Sequence, residues 1–183
     1  MKRIGDIGLW ENVVPEDLCN DLIQHFESSD TLKTRDEEKC KDTYMFLYDG
    51  ALRRKFGPIL RDCGDEYFEF YGHNTWRKQC QPTTMKIQKA QAGGGFTGIH
   101  WEQGAGQLNA PRFGAWMAYL NTVEKGGCTA FPLQDRLMVK PTRGTMVIWP
   151  AAYTHPHHSF PDLGEDKYII TGWFEYQNEK IMG

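Results

Sequence analysis

Two features of this 183-residue chain could do chemistry. His100 and Glu102 form an H-x-E pair, and His155, His157 and His158 crowd into the segment THPHHSFP. In an extended strand, residues i and i+2 point to the same side. An H-x-E pair on a strand therefore presents one imidazole and one carboxylate to the same point, where they could grip one ion. A late histidine on a neighbouring strand (His155, His157 or His158) would complete a set of two histidines and one carboxylate. Such a set occupies one face of an octahedron and leaves three positions open for co-substrate and dioxygen, the arrangement of non-haem ferrous oxygenases. An isolated H-x-E is weak evidence, because short motifs recur by chance. The histidine cluster alone could equally cap strands. Order and spacing along the chain must decide.

The elements that would bring residues 100 and 157 together lie in the second half. TTMKIQKA (83–90) alternates as a strand, and AQAGGGFTGIHWE (90–102) is a glycine-rich bend and strand edge. RFGAWMAYLNTV, RLMV, GTMVIWP and KYIITGWFEY are further strands, separated by Gly, Pro and Asp signals. Several short strands with short breaks argue a sandwich or barrel. The near-continuous apolar run GTMVIW needs both faces covered. Upstream, Pro15 followed by Glu16 and Asp17 signals a helix start, and Leu18, Leu22, Ile23 and Phe26 fall on one face. Residues 30–43 (DTLKTRDEEKCKDT) are polar and read as a surface loop. A second helix is expected after Gly57-Pro58, through Ile59, Leu60, Cys63, Tyr67 and Tyr71. The layout is one domain over 1–183, mainly β with flanking helices (α+β). A helical support region over 1–80 packs on a β core over 83–176.

Composition bounds the alternatives. With 40% apolar and 25% charged residues, the chain is globular and not disordered. A net charge of -3 without a basic stripe disfavours a nucleic-acid partner. Five widely spaced cysteines without a CxxC argue against a disulfide framework or a zinc ribbon. No apolar run has signal-peptide or membrane-spanning character, which points to a cytoplasmic protein with no membrane partner. A reducing compartment suits a ferrous centre.

In order, the second half reads: glycine bend, H-x-E, Arg112, YLN (119–121), GGCTAFP (126–132), VKPTRGTMVIWP (139–150), THPHHSFP (154–161), Lys167, Trp173. Over residues 83–176 this order resembles the prolyl 4-hydroxylase-like branch of the iron(II)/2-oxoglutarate-dependent dioxygenases, in particular small single-domain members of the bacterial and phage type. The resemblance implies a double-stranded β-helix (jelly-roll, cupin-like) core packed against N-terminal helices. It implies an oxidoreductase that hydroxylates an unactivated C–H bond, of prolyl 4-hydroxylase type on a peptidyl proline. The cofactors would be Fe(II), 2-oxoglutarate and dioxygen, with ascorbate as an accessory. The partner would be a proline-containing peptide or protein, or a small molecule.

Family members carry H-x-G-x-P with a lysine ten residues past the histidine. His157-His158-Ser159-Phe160-Pro161 matches, with Ser159 in place of glycine, and ten residues from His157 is Lys167. This favours His157 over His155 and His158. The resemblance thus implies His100, Glu102 and His157 as the catalytic metal ligands. It implies Lys167 and Tyr119 as the groups that hold the far carboxylate of 2-oxoglutarate. Thr171 and Trp173 share the side of Lys167 by strand alternation and resemble cofactor-pocket walls. Arg112 matches an arginine that meets substrate at the barrel mouth. Trp101 and Trp116 are candidates for an outer substrate surface, with a buried core role favoured for Trp116, and Gly93–Gly95 for a flexible bend or lid. Besides Ser159, three positions depart from the pattern. Glu102 stands where aspartate is usual, and Cys128 where glutamate is. Ala90 or Gln91 stands where a tyrosine is, which leaves Gln88 as a substitute contact. The competing readings are a non-catalytic jelly-roll metal-binding module and a zinc hydrolase.

Overall fold

The computed structural model describes residues 1–73, 75–161 and 164–177. The chain opens with the hairpin β1 (Lys2–Ile4) and β2 (Ile7–Trp10), then α1 (Glu16–Glu27). A second hairpin, β3 (Lys33–Glu37) and β4 (Cys40–Phe46), precedes the long α2 (Gly50–Phe70) and the single turn α3 (Trp76–Gln79). Eight strands follow: β5 (Cys80–Ala90), β6 (Gly95–Phe96), β7 (Arg112–Tyr119), β8 (Thr129–Phe131), β9 (Leu137–Val139), β10 (Met146–Pro150), β11 (His158–Ser159) and β12 (Lys167–Tyr176). The large sheet runs β1-β2-β10-β7-β12-β5-β4-β3, with β6 added against β4. The small sheet runs β11-β8-β9. The pairings are antiparallel.

Strand alternation sorts the large sheet into two faces. From β7, Trp116 and Ala118 join Phe26, Phe56 and Leu60 of the helices in one core. Their neighbours Ala115, Met117 and Tyr119 turn the other way and pack with Phe131 and Val139 of the small sheet. β10 divides likewise: Met146 and Ile148 face the helices, Val147 and Trp149 the small sheet. Both faces are covered, which is why GTMVIW reads as continuously apolar. The result is the expected β sandwich with helices on one outer face.

The first helix begins where the sequence places it. Pro15 precedes it, Glu16 and Asp17 occupy its first turn, and Leu18, Leu22 and Phe26 are buried. Two expectations for the front third need correction. Helix α2 starts not after Gly57-Pro58 but at Gly50, where the Asp49 side chain accepts from the amides of Ala51 and Leu52, both at 2.8 Å. Pro58 lies inside it. The carboxylate cap satisfies two orphan donors at the true start. Residues 30–43 are not a loop; most of them form the β3–β4 hairpin. This hairpin is the edge of the large sheet, and its outward side chains are charged, as edge strands require. It therefore lacks the apolar alternation by which a strand is recognised.

Backbones approach closely at Gly172, where β12 lies between β5 and β7. A Cβ there would stand 1.9 Å from the Thr84 carbonyl oxygen and 2.6 Å from the Trp116 ring. Gly172→Ala is expected to destabilise the protein by about 3 kcal/mol or more, because backbone cannot yield as a flexible side chain can. Urea denaturation checks it; an unchanged midpoint would show that the strands separate freely. The five cysteines are all free. No helix among the described residues is long and apolar enough to cross a membrane.

Candidate metal centre and co-substrate pocket

His100 and His157 meet in an isolated antiparallel bridge, each amide donating to the other's carbonyl at 3.0 and 2.8 Å. Glu102 is tied in turn by its amide to the Ala151 carbonyl at 3.1 Å. These bonds place the three side chains before any ion arrives. The imidazoles are also oriented. Nδ1 of His100 lies 2.9 Å from the Gly98 carbonyl, and Nδ1 of His157 3.1 Å from the His155 carbonyl. A carbonyl only accepts, so each Nδ1 carries the proton and each Nε2 is free to ligate. Both Nε2 atoms face Oε1 of Glu102, at 3.6 and 3.3 Å. One ligand atom from each of the three residues lies within 4.8 Å of the others.

The second oxygen of Glu102 is held from behind. Oε2 accepts from the Trp173 indole at 2.8 Å and from Arg112 at 3.3 Å, and Arg112 also donates to the Glu102 carbonyl at 2.9 Å. The Arg112 guanidinium lies 3.6 Å over the Trp173 ring. Burial pushes the Glu102 carboxyl up, yet contact with the two imidazoles holds it well below the ordinary carboxylate range. A divalent cation between the three groups would hold the carboxylate ionised in the same way. Two oriented nitrogen donors and one ionised, clamped carboxylate fit a ferrous ion.

The triad opens into a cavity of about 470 Å³, in the range of small-molecule sites. Alternate residues of two paired strands form its floor: Lys86, Gln88 and Ala90 from β5, and Lys167, Ile169, Thr171 and Trp173 from β12. Lys167 is only 5% exposed and donates to Ser159 Oγ at 2.6 Å and the Gly127 carbonyl at 2.8 Å. The serine that replaces the family glycine thus lies against the lysine. Thr171 lines the wall, its hydroxyl donating to the Trp116 carbonyl.

Other candidates are placed differently from expectation. Tyr119 is fully buried, and its hydroxyl donates to Thr129 Oγ1 at 2.8 Å; Thr129, not Tyr119, reaches the cavity. Arg112 lies at the cavity but is engaged by Glu102 rather than held out for substrate. Gln88 donates to Asp42. Trp116 takes the core role favoured for it, packed on Phe56, while Trp101 is 52% exposed at the cavity rim. His158 lines the cavity and His155 is buried against Thr154; neither joins the triad. At the glycine run, a Cβ on Gly94 would stand 2.7 Å from the Lys41 carbonyl, so this turn is packed down on β4. Lys86, Arg35 and Asp42 also line the cavity and were not singled out by sequence.

Residues 85–175 match the 2OG-Fe(II) oxygenase superfamily. The chain belongs to that superfamily. Its core is the double-stranded β-helix, as solved structures show. A Pseudomonas putida prolyl-4-hydroxylase aligns with a TM-score of 0.77 at 16% identity, over 94% of each chain. A viral collagen prolyl hydroxylase from Paramecium Bursaria Chlorella virus-1 gives 0.73 at 15% identity, over 94% of this chain and 96% of that one. A prolyl hydroxylase from Trichoplax adhaerens, in complex with a hypoxia inducible factor peptide fragment, gives 0.70 at 14% identity, over 93% and 83%. No curated protein matches by sequence. The oxygenase uses Fe(II), 2-oxoglutarate and dioxygen.

The clamp on Glu102 has a measurable role in this oxygenase. Trp173→Phe keeps a ring beneath Arg112 but removes the indole donor to Oε2. Anaerobic ferrous titration is expected to show affinity about 10- to 100-fold weaker, the usual effect of losing a group that orients a ligand. A variant that titrates like wild type would make the indole contact incidental.

Proposed function

We propose that this oxygenase hydroxylates a prolyl residue of a peptide or protein, with iron held by His100, Glu102 and His157. The observation that carries the reading is the convergence of two Nε2 atoms and one carboxylate oxygen from distant chain segments. Support for a prolyl substrate is the family resemblance over residues 83–176. When bound, ferrous iron and 2-oxoglutarate would supply the electrons that activate dioxygen, the oxidant, one atom of which goes to the substrate carbon and the other to succinate as carbon dioxide leaves.

The chain's own residues bind and orient. Glu102 offers Oε1 alone, because Trp173 and Arg112 occupy Oε2, so the carboxylate binds through one oxygen and leaves coordination sites for co-substrate. Lys167 receives the far carboxylate of 2-oxoglutarate, an anion that offsets the desolvation of a buried ammonium. Ser159 steers that ammonium. Phe96, Phe131 and Trp149 pack around the two imidazoles and shield them from water. Trp101, at the rim, offers apolar surface to an entering peptide.

The test is purified protein with iron, 2-oxoglutarate and proline-rich peptides. Peptide-dependent succinate formation, with one oxygen atom added to a proline, is the expected result. Succinate formed without peptide oxidation across the panel would refute the prolyl assignment.

A further inference from the structure

Cations outnumber carboxylates around the cavity. Arg35, Lys86, Arg112 and Lys167 line it, against Asp42 and Glu102. Three of the cations have polar partners: Arg35 grips Asp42 across the β3–β4 hairpin, Arg112 binds Glu102, and Lys167 binds Ser159 and Gly127. Lys86 has no hydrogen bond or ion pair among the described residues. Its ammonium stands 5.5 Å from the Tyr44 ring and 5.4 Å from the Trp173 ring. Burial, then the charge of Arg35, pushes Lys86 down to about 8, so near neutrality it is still mostly protonated. Ferrous iron and the 2-oxoglutarate dianion together add no net charge. The positive excess therefore persists in the loaded cavity.

Lys86 and Lys167 occupy different ends of the floor. In the β5–β12 register Lys86 faces Thr171, whereas Lys167 faces Ala90, four residues further along β5. That is about 13 Å of strand. Lys86 adjoins Trp173, on the Glu102 side of the triad; Lys167 adjoins Ser159. One five-carbon diacid anchored at Lys167 leaves Lys86 to another anion.

We propose that Lys86 docks a carboxylate of the substrate, so that the oxygenase selects anionic substrates. The proposal rests on the preceding reading only in taking this cavity as the substrate's entrance. The carboxylate is either an acidic side chain beside the reacting residue or the carboxylate of the reacting residue itself, at a chain end or free. An ammonium already desolvated between two rings gains most from a charged acceptor, and a neutral substrate leaves it unmatched.

Binding is measured by calorimetry on protein loaded with Mn(II) and 2-oxoglutarate under anaerobic conditions, so that no turnover intervenes. The probes are proline peptides differing only in Glu, Gln or Lys beside the proline, one ending in a free proline carboxylate, and N-acetylproline with its amide. Wild type is expected to bind an acid at least about 10-fold tighter than its neutral twin, as charge-assisted hydrogen bonds allow. The pair that shows the preference identifies the carboxylate's source. Lys86→Met and Lys86→Gln should each abolish that preference while leaving 2-oxoglutarate affinity intact. Lys86→Glu should favour the Lys peptide. No acid preference in any pair, equal weakening of acid and neutral probes by Lys86→Met, or weaker 2-oxoglutarate binding instead, each overturns the proposal. Absence of peptide binding with the acid preference kept for N-acetylproline refutes the peptide reading alone.

Discussion

His157→Ala is expected to abolish stoichiometric ferrous iron binding and all measurable turnover. The residue supplies one of three ligand atoms, and its neighbours cannot replace it. His155 is buried with its ring against Thr154, and His158 sits in the cavity wall outside the triad. A bound Lewis acid is worth several kcal/mol, and each 1.4 kcal/mol or so is tenfold, so activity falls at least about 1,000-fold. His155→Ala and His158→Ala are the matched controls and should still load iron. Metal analysis after anaerobic dialysis reads the binding, and decarboxylation of the keto acid reads the turnover. Should His157→Ala keep its iron while His158→Ala loses it, the ligand assignment is wrong and the lysine interval points to the neighbouring histidine.

The second large effect concerns the far carboxylate of 2-oxoglutarate. Lys167→Met keeps the length of the side chain and removes its charge. Breaking one partner of a buried ion pair costs about 3 kcal/mol or more, so the keto acid's dissociation constant should rise by on the order of 100-fold. Thermal melting gives an internal contrast. A ligand present at 100 times its dissociation constant stabilises wild type by about 2.7 kcal/mol; after a 100-fold loss the same concentration gives about 0.4 kcal/mol. Without keto acid the two proteins should melt alike, within about 1 kcal/mol. The lost bonds to Ser159 and Gly127 are offset by removing a buried charge. A Lys167→Met protein that still gains full stability from 2-oxoglutarate would release this lysine from the role.

Legibility in the sequence followed the period of the strands. The shared wall of Lys167, Thr171 and Trp173 could be read because strands alternate with period two; Glu102 lies in a bend just past the His100 bridge, and His157 is singled out by the interval to Lys167 that the family resemblance implies. Lys86 could not be read that way. It lies in TTMKIQKA, whose polar positions look like a solvent face, and alternation cannot distinguish bulk water from a cavity. Arg35 and Asp42 were hidden for a related reason: their hairpin is an edge whose side chains are mostly charged, so it resembles a loop. Tyr119 and Arg112 show a different limit. The family resemblance places both near the site, but only packing puts Thr129 in front of the tyrosine and Glu102 against the arginine. The start of α2 was obscured because Gly57-Pro58 is a louder local signal than Asp49 before a glycine.

The two-faced strands of the large sheet also govern how this molecule can change over evolutionary time. Apart from Ala90, each cavity residue on β5 and β12 is flanked in sequence by one that packs in the helix-covered core. Single replacements at Lys86 or Gln88 can therefore retune selectivity with the scaffold undisturbed. Losing or gaining one residue within Lys167–Trp173 is another matter, since it inverts the facing of every side chain beyond it. Such an indel would turn the reactive row into the oily interior and Ile170 into the chamber. Drift in substrate choice thus proceeds by exchange of letters, while the length of these two strands stays frozen.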